Sequence, residues 1–281
     1  MSSFEGIGGV GPSFALDADG EVDDWFDIGN VSALQNARKV WKDNLNVLEK
    51  TEESICLVED NIIKFFANDQ IVSKRVKRAS CLESLVPEIK SSTKNFYSYG
   101  FVKGKVASEK IDPVKMVNLV KWAKKNLWTE VDYKGDFRSQ CKYFYKTKTR
   151  DRIKNFFKNR PSDKSQVING VKVPEIDSLL KKVPWEYLIE SKPTKFHGDF
   201  ILDNIIITPD ENFKLLDWRH EFGKDSLLAG DVYYDLAKLM HGLIISHDII
   251  NDDLYNFDRS MNEIKYDFLR KNINIDCEDI F

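Results

Sequence analysis

The spacing of apolar residues changes character near residue 104. Before that point they come in short runs bounded by polar turns. Residues 54–58 (SICLV) and 62–67 (IIKFFA) predict two strands, with Glu59-Asp60-Asn61 as a tight turn between them. Residues 46–49 predict a weaker strand ahead of them. Residues 71–85 mix basic and apolar positions at helical spacing, and Pro87 closes that helix. A further strand over 96–102 runs into Lys103-Gly104. The predicted order is strand, strand, strand, helix, strand.

After Gly104 the period becomes helical. Asp112-Pro113 opens a helix whose Val114, Val117 and Val120 share a face, with Pro113 suited to the first turn. Residues 150–158 and 175–182 are further helical candidates. Leu236, Leu239, Met240 and Leu243 fall at offsets of 0, 3, 4 and 7, the pattern of an amphipathic helix. Upstream, Ala33, Ala37 and Val40 predict a helix between residues 24 and 42. The expected organisation is a flexible tail and linker helix over 1–43, a small β-rich lobe over 44–103 and a larger helical lobe over 104–281. This is an α+β, two-lobed architecture.

Composition narrows the possible functions. The 281 residues include 18 Phe and are 42% hydrophobic, enough for a packed core and too apolar for a disordered chain. Lys and Arg (42) nearly balance Asp and Glu (45), so the basic excess of a non-specific nucleic-acid binder is missing. No apolar run approaches the roughly 18 residues that span a bilayer, and no basic-then-apolar leader opens the chain. Cys56, Cys81, Cys141 and Cys277 lie far apart without a CxxC pair, the pattern of isolated reduced thiols. The expectation is a cytoplasmic protein without nucleic-acid binding or membrane insertion. GIGGVG (6–11) has the look of a phosphate loop, but no strand precedes it and no Lys-Ser/Thr follows.

The candidate chemistry lies in FHGDFILDNIIITPDENFKLLDWR, residues 196–219. Two short β-rich runs, 204–208 and 213–216, flank the turn 209–212 and predict a hairpin. A hairpin brings its two ends together, so Asn204 and Asp217 should lie side by side with Asp199 a few residues away. In phosphoryl transfer, one carboxylate accepts the proton of the attacking hydroxyl. An amide and a carboxylate oxygen together suit Mg²⁺ bridging nucleotide phosphates. Asp199 and Asn204 are five positions apart, the Asp-to-Asn interval of HRDxxxxN.

HGDFILDN followed by LLDWR, with GDVYYDLAKL (230–239) beyond, resembles the catalytic segment of the aminoglycoside phosphotransferase and choline kinase superfamily. The resemblance implies the protein-kinase-like fold and transfer of the γ-phosphate of ATP or GTP to a small-molecule hydroxyl. It implies Asp199 as catalytic base, Asn204 and Asp217 as magnesium ligands, His197 as a loop support and Asp231 as a brace for the catalytic loop. Lys64, an ammonium inside the apolar run IIKFFA, takes the place of the phosphate-binding lysine. YSYGFVKG (97–104) resembles the inter-lobe hinge, with the backbone near Tyr99 and Phe101 meeting the adenine edge. The glutamate partner of Lys64 is expected near Arg78, and Glu83, about one turn on, is the substitute. The first strands carry no glycine-rich turn. Those last two departures keep a nucleotide-binding protein without turnover as the alternative reading.

WFDIGN (25–30) resembles the segment that closes sugar-nucleotidyltransferase domains. FYKTKTRDRI (144–153) and VINGVKVPEI (167–176) resemble the kinase half of bacterial surface-polysaccharide proteins that join the two activities. This implies a sugar or amino alcohol as phosphate acceptor and a place in capsule synthesis. Acidic candidates for holding the acceptor (Glu221, Asp235) are matched by basic ones (Arg219, Lys146), so the acceptor stays open. So does the oligomeric state.

Overall fold

The computed structural model describes residues 13–16, 22–26, 48–50, 52–159, 167–246, 249–250, 252–260 and 263–280. Strands β1 (Ser13–Leu16) and β2 (Val22–Phe26) pair antiparallel. The helix expected from residue 24 therefore begins inside a strand. Residues 27–47 and the glycine string at 6–11 lie outside the described residues.

The small lobe is a five-stranded antiparallel sheet in the order β3-β4-β5-β7-β6. Its strands are β3 (Leu48–Lys50), β4 (Glu53–Val58), β5 (Asn61–Phe66), β6 (Ile89–Ser92) and β7 (Phe96–Gly100). The β4–β5 turn puts Glu59 in the left-handed region (φ 51°). Helix α1 (Asp69–Leu82) follows β5. Its N-terminus is capped by the Asn68 side chain, which accepts from the Gln70 N–H at 3.0 Å. It ends at residue 82, where Glu83 turns to φ 52°, and a 3₁₀ turn (Glu83–Leu85) completes the stretch expected as helix. The sequence reading missed β6, a four-residue edge strand whose IKSS carries one apolar side chain, too little for an alternating signal.

Beyond Gly104 a three-stranded sheet, β8 (Lys105–Val106), β11 (Ile205–Ile207) and β12 (Phe213–Leu215), is surrounded by helices. These include α2 (Ala107–Lys110), α3 (Pro113–Asn126), α4 (Phe137–Cys141), α5 (Lys148–Asn159), α6 (Ile176–Lys182), α7 (Trp185–Ile189), α8 (Val232–Ile244) and α9 (Asn272–Glu278). A wide π-helical turn, Lys142–Thr147, joins α4 to α5. Asp112 caps α3, accepting from the Lys115 N–H at 2.8 Å, with Pro113 in the first turn as expected. A second, four-stranded sheet lies in the order β10-β9-β14-β13: β9 (Val167–Ile168), β10 (Val171–Lys172), β13 (Tyr255–Arg259) and β14 (Glu263–Phe268). The described residues form an α+β fold, as the sequence pattern predicts.

One hydrophobic cluster runs through both lobes. Phe66, Val72, Leu82, Tyr97 and Tyr99 join Met116, Leu119, Phe200, Leu215, Trp218 and Leu239. Trp218 is its keystone. The ring is fully buried, 6.0 Å from Tyr97 and 6.5 Å from Tyr99, and its Nε1–H donates to the Arg75 carbonyl at 2.9 Å. Among the described residues, no helix is long and apolar enough to cross a membrane.

Candidate active site

The loop that carries Asp199 is shaped by one glycine and two buried polar side chains. Gly198 sits at φ 89°, and a Cβ there would come within 2.6 Å of the Arg219 Cβ, so only glycine fits. His197 is fully buried. One of its ring nitrogens, Nδ1, accepts from the Asp199 N–H at 3.3 Å. The other, Nε2, therefore carries the hydrogen and donates to the Leu216 carbonyl at 2.7 Å. Burial pushes its pKa down to about 4, so the ring is neutral at physiological pH. His197 thus ties the loop to the far strand of the hairpin.

The brace beneath the loop is Asp235. It is 0% exposed and accepts from the His197 N–H (2.7 Å), the Gly198 N–H (2.6 Å) and the Trp128 indole (3.1 Å). Burial raises its pKa to about 6, against the pull of these donors and of Arg78. This corrects two expectations. Asp231, the expected brace, caps α8 by accepting from the Tyr233 N–H and also holds the Ser191 and Tyr145 hydroxyls. Asp235 is sealed away from any acceptor molecule. A signal was present in the sequence: Asp235, Leu239 and Leu243 recur every four residues, so a carboxylate lies on the apolar stripe.

The hairpin behaves as its pattern predicts. Ile205 pairs with Leu215, and the Leu216 N–H donates to the Asn204 carbonyl at 2.8 Å, so residue 217 emerges beside Asn204. The Asn204 amide nitrogen donates to the Asp199 carbonyl (3.0 Å) and to Asp199 Oδ2 (3.2 Å). Asp199 is about one-third exposed, and its Oδ1 lies 2.7 Å from Lys238 Nζ of α8. Asp217 takes a left-handed backbone (φ 57°), which turns its carboxylate back toward the small lobe.

Lys64 meets Asp217 directly. Its ammonium is buried and ion-paired with Asp217 Oδ1, and Arg75 Nη1 reaches the same oxygen at 3.1 Å. Burial lowers the Lys64 pKa, partly offset by the Asp217 charge. The two cations overcome the burial of Asp217 and hold its pKa near 2. Glu83, the expected partner of Lys64, is not there. It sits past the end of α1, exposed, with its carboxylate 3.5 Å from Lys195. Helix α1 turns cations toward the large lobe instead. Lys74 pairs with Glu221 and Arg75 with Asp217, while Arg78 donates to the Phe196 carbonyl and lies 3.8 Å above that ring. Arg78 is buried, and its pKa falls to about 10 because of it.

The segment expected as the hinge leaves the sheet at residue 101. Tyr99 is buried in the middle of the sheet, paired with Ile62 on one side and Ile89 on the other, and burial raises the pKa of its phenol. The Phe101 N–H donates to the Asp60 carbonyl at 2.8 Å, and its ring is exposed. The Phe101 N–H thus extends the pairing of β7 with β5 by one residue. Residues 102–104 form the linker between lobes, outside any ladder.

The residues fit a magnesium ion. Among the described residues, no hydrogen bond or ion pair engages Asn204 Oδ1 or Asp217 Oδ2. One amide oxygen and one carboxylate oxygen at adjacent hairpin ends are the kind of donors Mg²⁺ takes alongside phosphate oxygens and water. A groove of about 790 Å³ lies elsewhere, between α1, residues 86–88 and β6.

No protein-family model matches the chain, and no curated protein matches it. Solved structures similar to it include the ternary complex of APH(2″)-IIa with streptomycin and ATP (14% identity over 73% of this chain and 74% of that one, TM-score 0.45). A Plasmodium vivax ethanolamine kinase shares 16% identity over 78% and 70%, TM-score 0.42. A choline kinase from Streptococcus pneumoniae shares 14% over 75% and 74%, TM-score 0.36.

Proposed function

We propose that this chain transfers the terminal phosphoryl group of ATP to a hydroxyl of a small molecule. The observation that carries the reading is the grouping of Asp199, Asn204 and Asp217 at the ends of one hairpin, with Lys64 reaching across from the small lobe. Asp199 is partly exposed and fixed by Asn204 and the His197 ring, the place for a base that accepts the acceptor's hydroxyl proton. That oxygen then bonds to the terminal phosphorus while the bond to the bridging oxygen breaks, and ADP leaves. Lys64 and Arg75 supply positive charge for the phosphates. Asn204 and Asp217 would hold Mg²⁺, which supplies charge neutralisation between phosphates when bound. GTP is the other candidate donor. A sugar or amino alcohol as acceptor, and a role in capsule synthesis, extend the proposal on the sequence resemblance alone.

A second reading is nucleotide binding without turnover. The observation that favours it is the capture of Asp217 Oδ1 by two cations where a glutamate partner for Lys64 was expected. Thermal unfolding with ATP or GTP, with and without Mg²⁺, on wild type and Asp217→Ala separates the possibilities. Ligand at 100 times its dissociation constant stabilises by about 2.7 kcal/mol. A magnesium-dependent rise lost in Asp217→Ala supports the metal site. Absence of any rise with either nucleotide sinks both readings. Asp199→Ala should abolish transfer while leaving the nucleotide-dependent rise nearly intact. Wild-type transfer by that variant would overturn Asp199 as the base.

A further inference from the structure

Charged side chains around Asp199 are unevenly matched. The Phe144 and Tyr234 rings pack edge to face at 4.6 Å. Lys148, at the start of α5, holds its ammonium 5.4 Å from the centre of the Phe144 ring. Arg219 lies 5.9 Å from the centre of the Tyr234 ring and donates to the Tyr234 hydroxyl at 3.1 Å. Its backbone N–H donates to the His197 carbonyl at 3.0 Å, and its side chain packs on Gly198, next to Asp199. Lys238, one turn along α8 from Tyr234, reaches Asp199 itself at 2.7 Å. Lys238 therefore touches the proposed base and Arg219 lies beside it, while Lys148 and Arg152 add to the field at Arg219.

The carboxylates nearby are already committed. Asp235 is sealed under the loop, Asp231 caps α8, Glu221 pairs with Lys74, and Asp199 pairs with Lys238. Among the described residues, neither Arg219 nor Lys148 has a carboxylate within ion-pair distance. Burial, and then the nearby Arg219 and Arg152 charges, lower the Lys148 pKa, with the Glu221 charge pulling the other way. A cationic acceptor placed here would meet uncompensated positive charge, whereas an anionic one would neutralise it.

We infer that the acceptor is a small hydroxyl compound bearing a carboxylate or phosphate group, held by Arg219 and Lys148 while its hydroxyl lies at Asp199. This deepens the phosphotransferase reading, rests on it, and replaces the amino-alcohol acceptor that the sequence resemblance implies. Arg219 offers a planar fork for two oxygens, and Lys148 a point charge beside it.

The test has two arms. In the first, wild-type protein with Mg²⁺-ATP is given glycerate, glucuronate and glucose 6-phosphate against ethanolamine, choline and glucose. The anionic acceptors should show at least a tenfold higher kcat/KM. Lys148→Glu and Arg219→Gln should each raise KM for them tenfold or more, with a smaller change in kcat. The nucleotide-dependent thermal rise should be unchanged in both variants. In the second arm the same compounds are titrated without nucleotide and followed by calorimetry. The anionic ones should bind to wild type and fail to bind to Lys148→Glu. Preference for ethanolamine or choline in either arm overturns the inference and leaves the phosphotransferase reading standing. Nucleotide binding without turnover of any compound sends the decision to the second arm, where absence of anion binding overturns it.

Discussion

Asp217 and Asp235 flank the same loop and are both pulled from water, yet their environments work in opposite directions. Asp217 is held by the cations Lys64 and Arg75, and its pKa falls to about 2. Asp235 is held by two backbone N–H groups and an indole, and its pKa rises to about 6. Cations neutralise a carboxylate and keep it ionised. Amide dipoles fix its position while leaving much of the burial cost in place. The first arrangement suits a group that ligands approach, the second a strut.

The comparison can be broken most severely at Asp235. Asp235→Ala leaves three buried donors without an acceptor, at about 1–3 kcal/mol for each such group. A loss of stability of about 3 kcal/mol or more should appear in denaturant unfolding. Asp217→Asn should cost less, about 1–3 kcal/mol, because it removes the carboxylate charge paired directly with buried Lys64 and Arg75. It should also lose most of the magnesium-dependent nucleotide stabilisation in a thermal shift assay.

Acid titration sharpens the contrast by sign. Asp235 binds its proton more tightly folded than unfolded. Its contribution is fully present below the ordinary carboxylate value of 3.8 and is lost as pH rises through about 6. Asp217 does the reverse: its contribution is present above 3.8 and is lost as pH falls through about 2. The stability of wild type relative to Asp235→Asn should therefore decline from pH 4 to 6 and level off above 7. Relative to Asp217→Asn it should decline from pH 4 toward 2. Denaturant midpoints across pH measure both, and slopes of equal sign would refute the contrast. The smallest effect belongs to the half-exposed Lys74–Glu221 pair, where Lys74→Ala should change stability by at most about 1 kcal/mol.

Much of this was legible in the sequence because it rested on short-range geometry. The β4–β5 hairpin, the Asp112-Pro113 start of α3 and the ends of the 204–217 hairpin follow from local pattern. So does the placement of Asp199 beside Asn204. What escaped depended on contacts between distant segments. Lys238 reaches Asp199 from α8, Arg75 reaches Asp217 from α1, and Glu83 is carried away because α1 stops one residue before it. The polar edge strand β6 and the exchange of roles between Asp231 and Asp235 were equally invisible to local spacing. The buried carboxylate of Asp235 could have been flagged from its place on an apolar stripe.

Lys64 of β5 and the cations of α1 also bear on how the chain is made. Lys64 and Asp217 are separated by 153 positions, Lys74 and Glu221 by 147, and Arg78 and Phe196 by 118. Contacts of such long sequence separation form late, after the loop-closure cost is met. During synthesis the small lobe emerges well before residues 196–221, the source of the partners that its buried Lys64 and Arg78 require. It is therefore a dependent unit, and a fragment ending at Gly104 should stay unfolded until the large lobe is supplied.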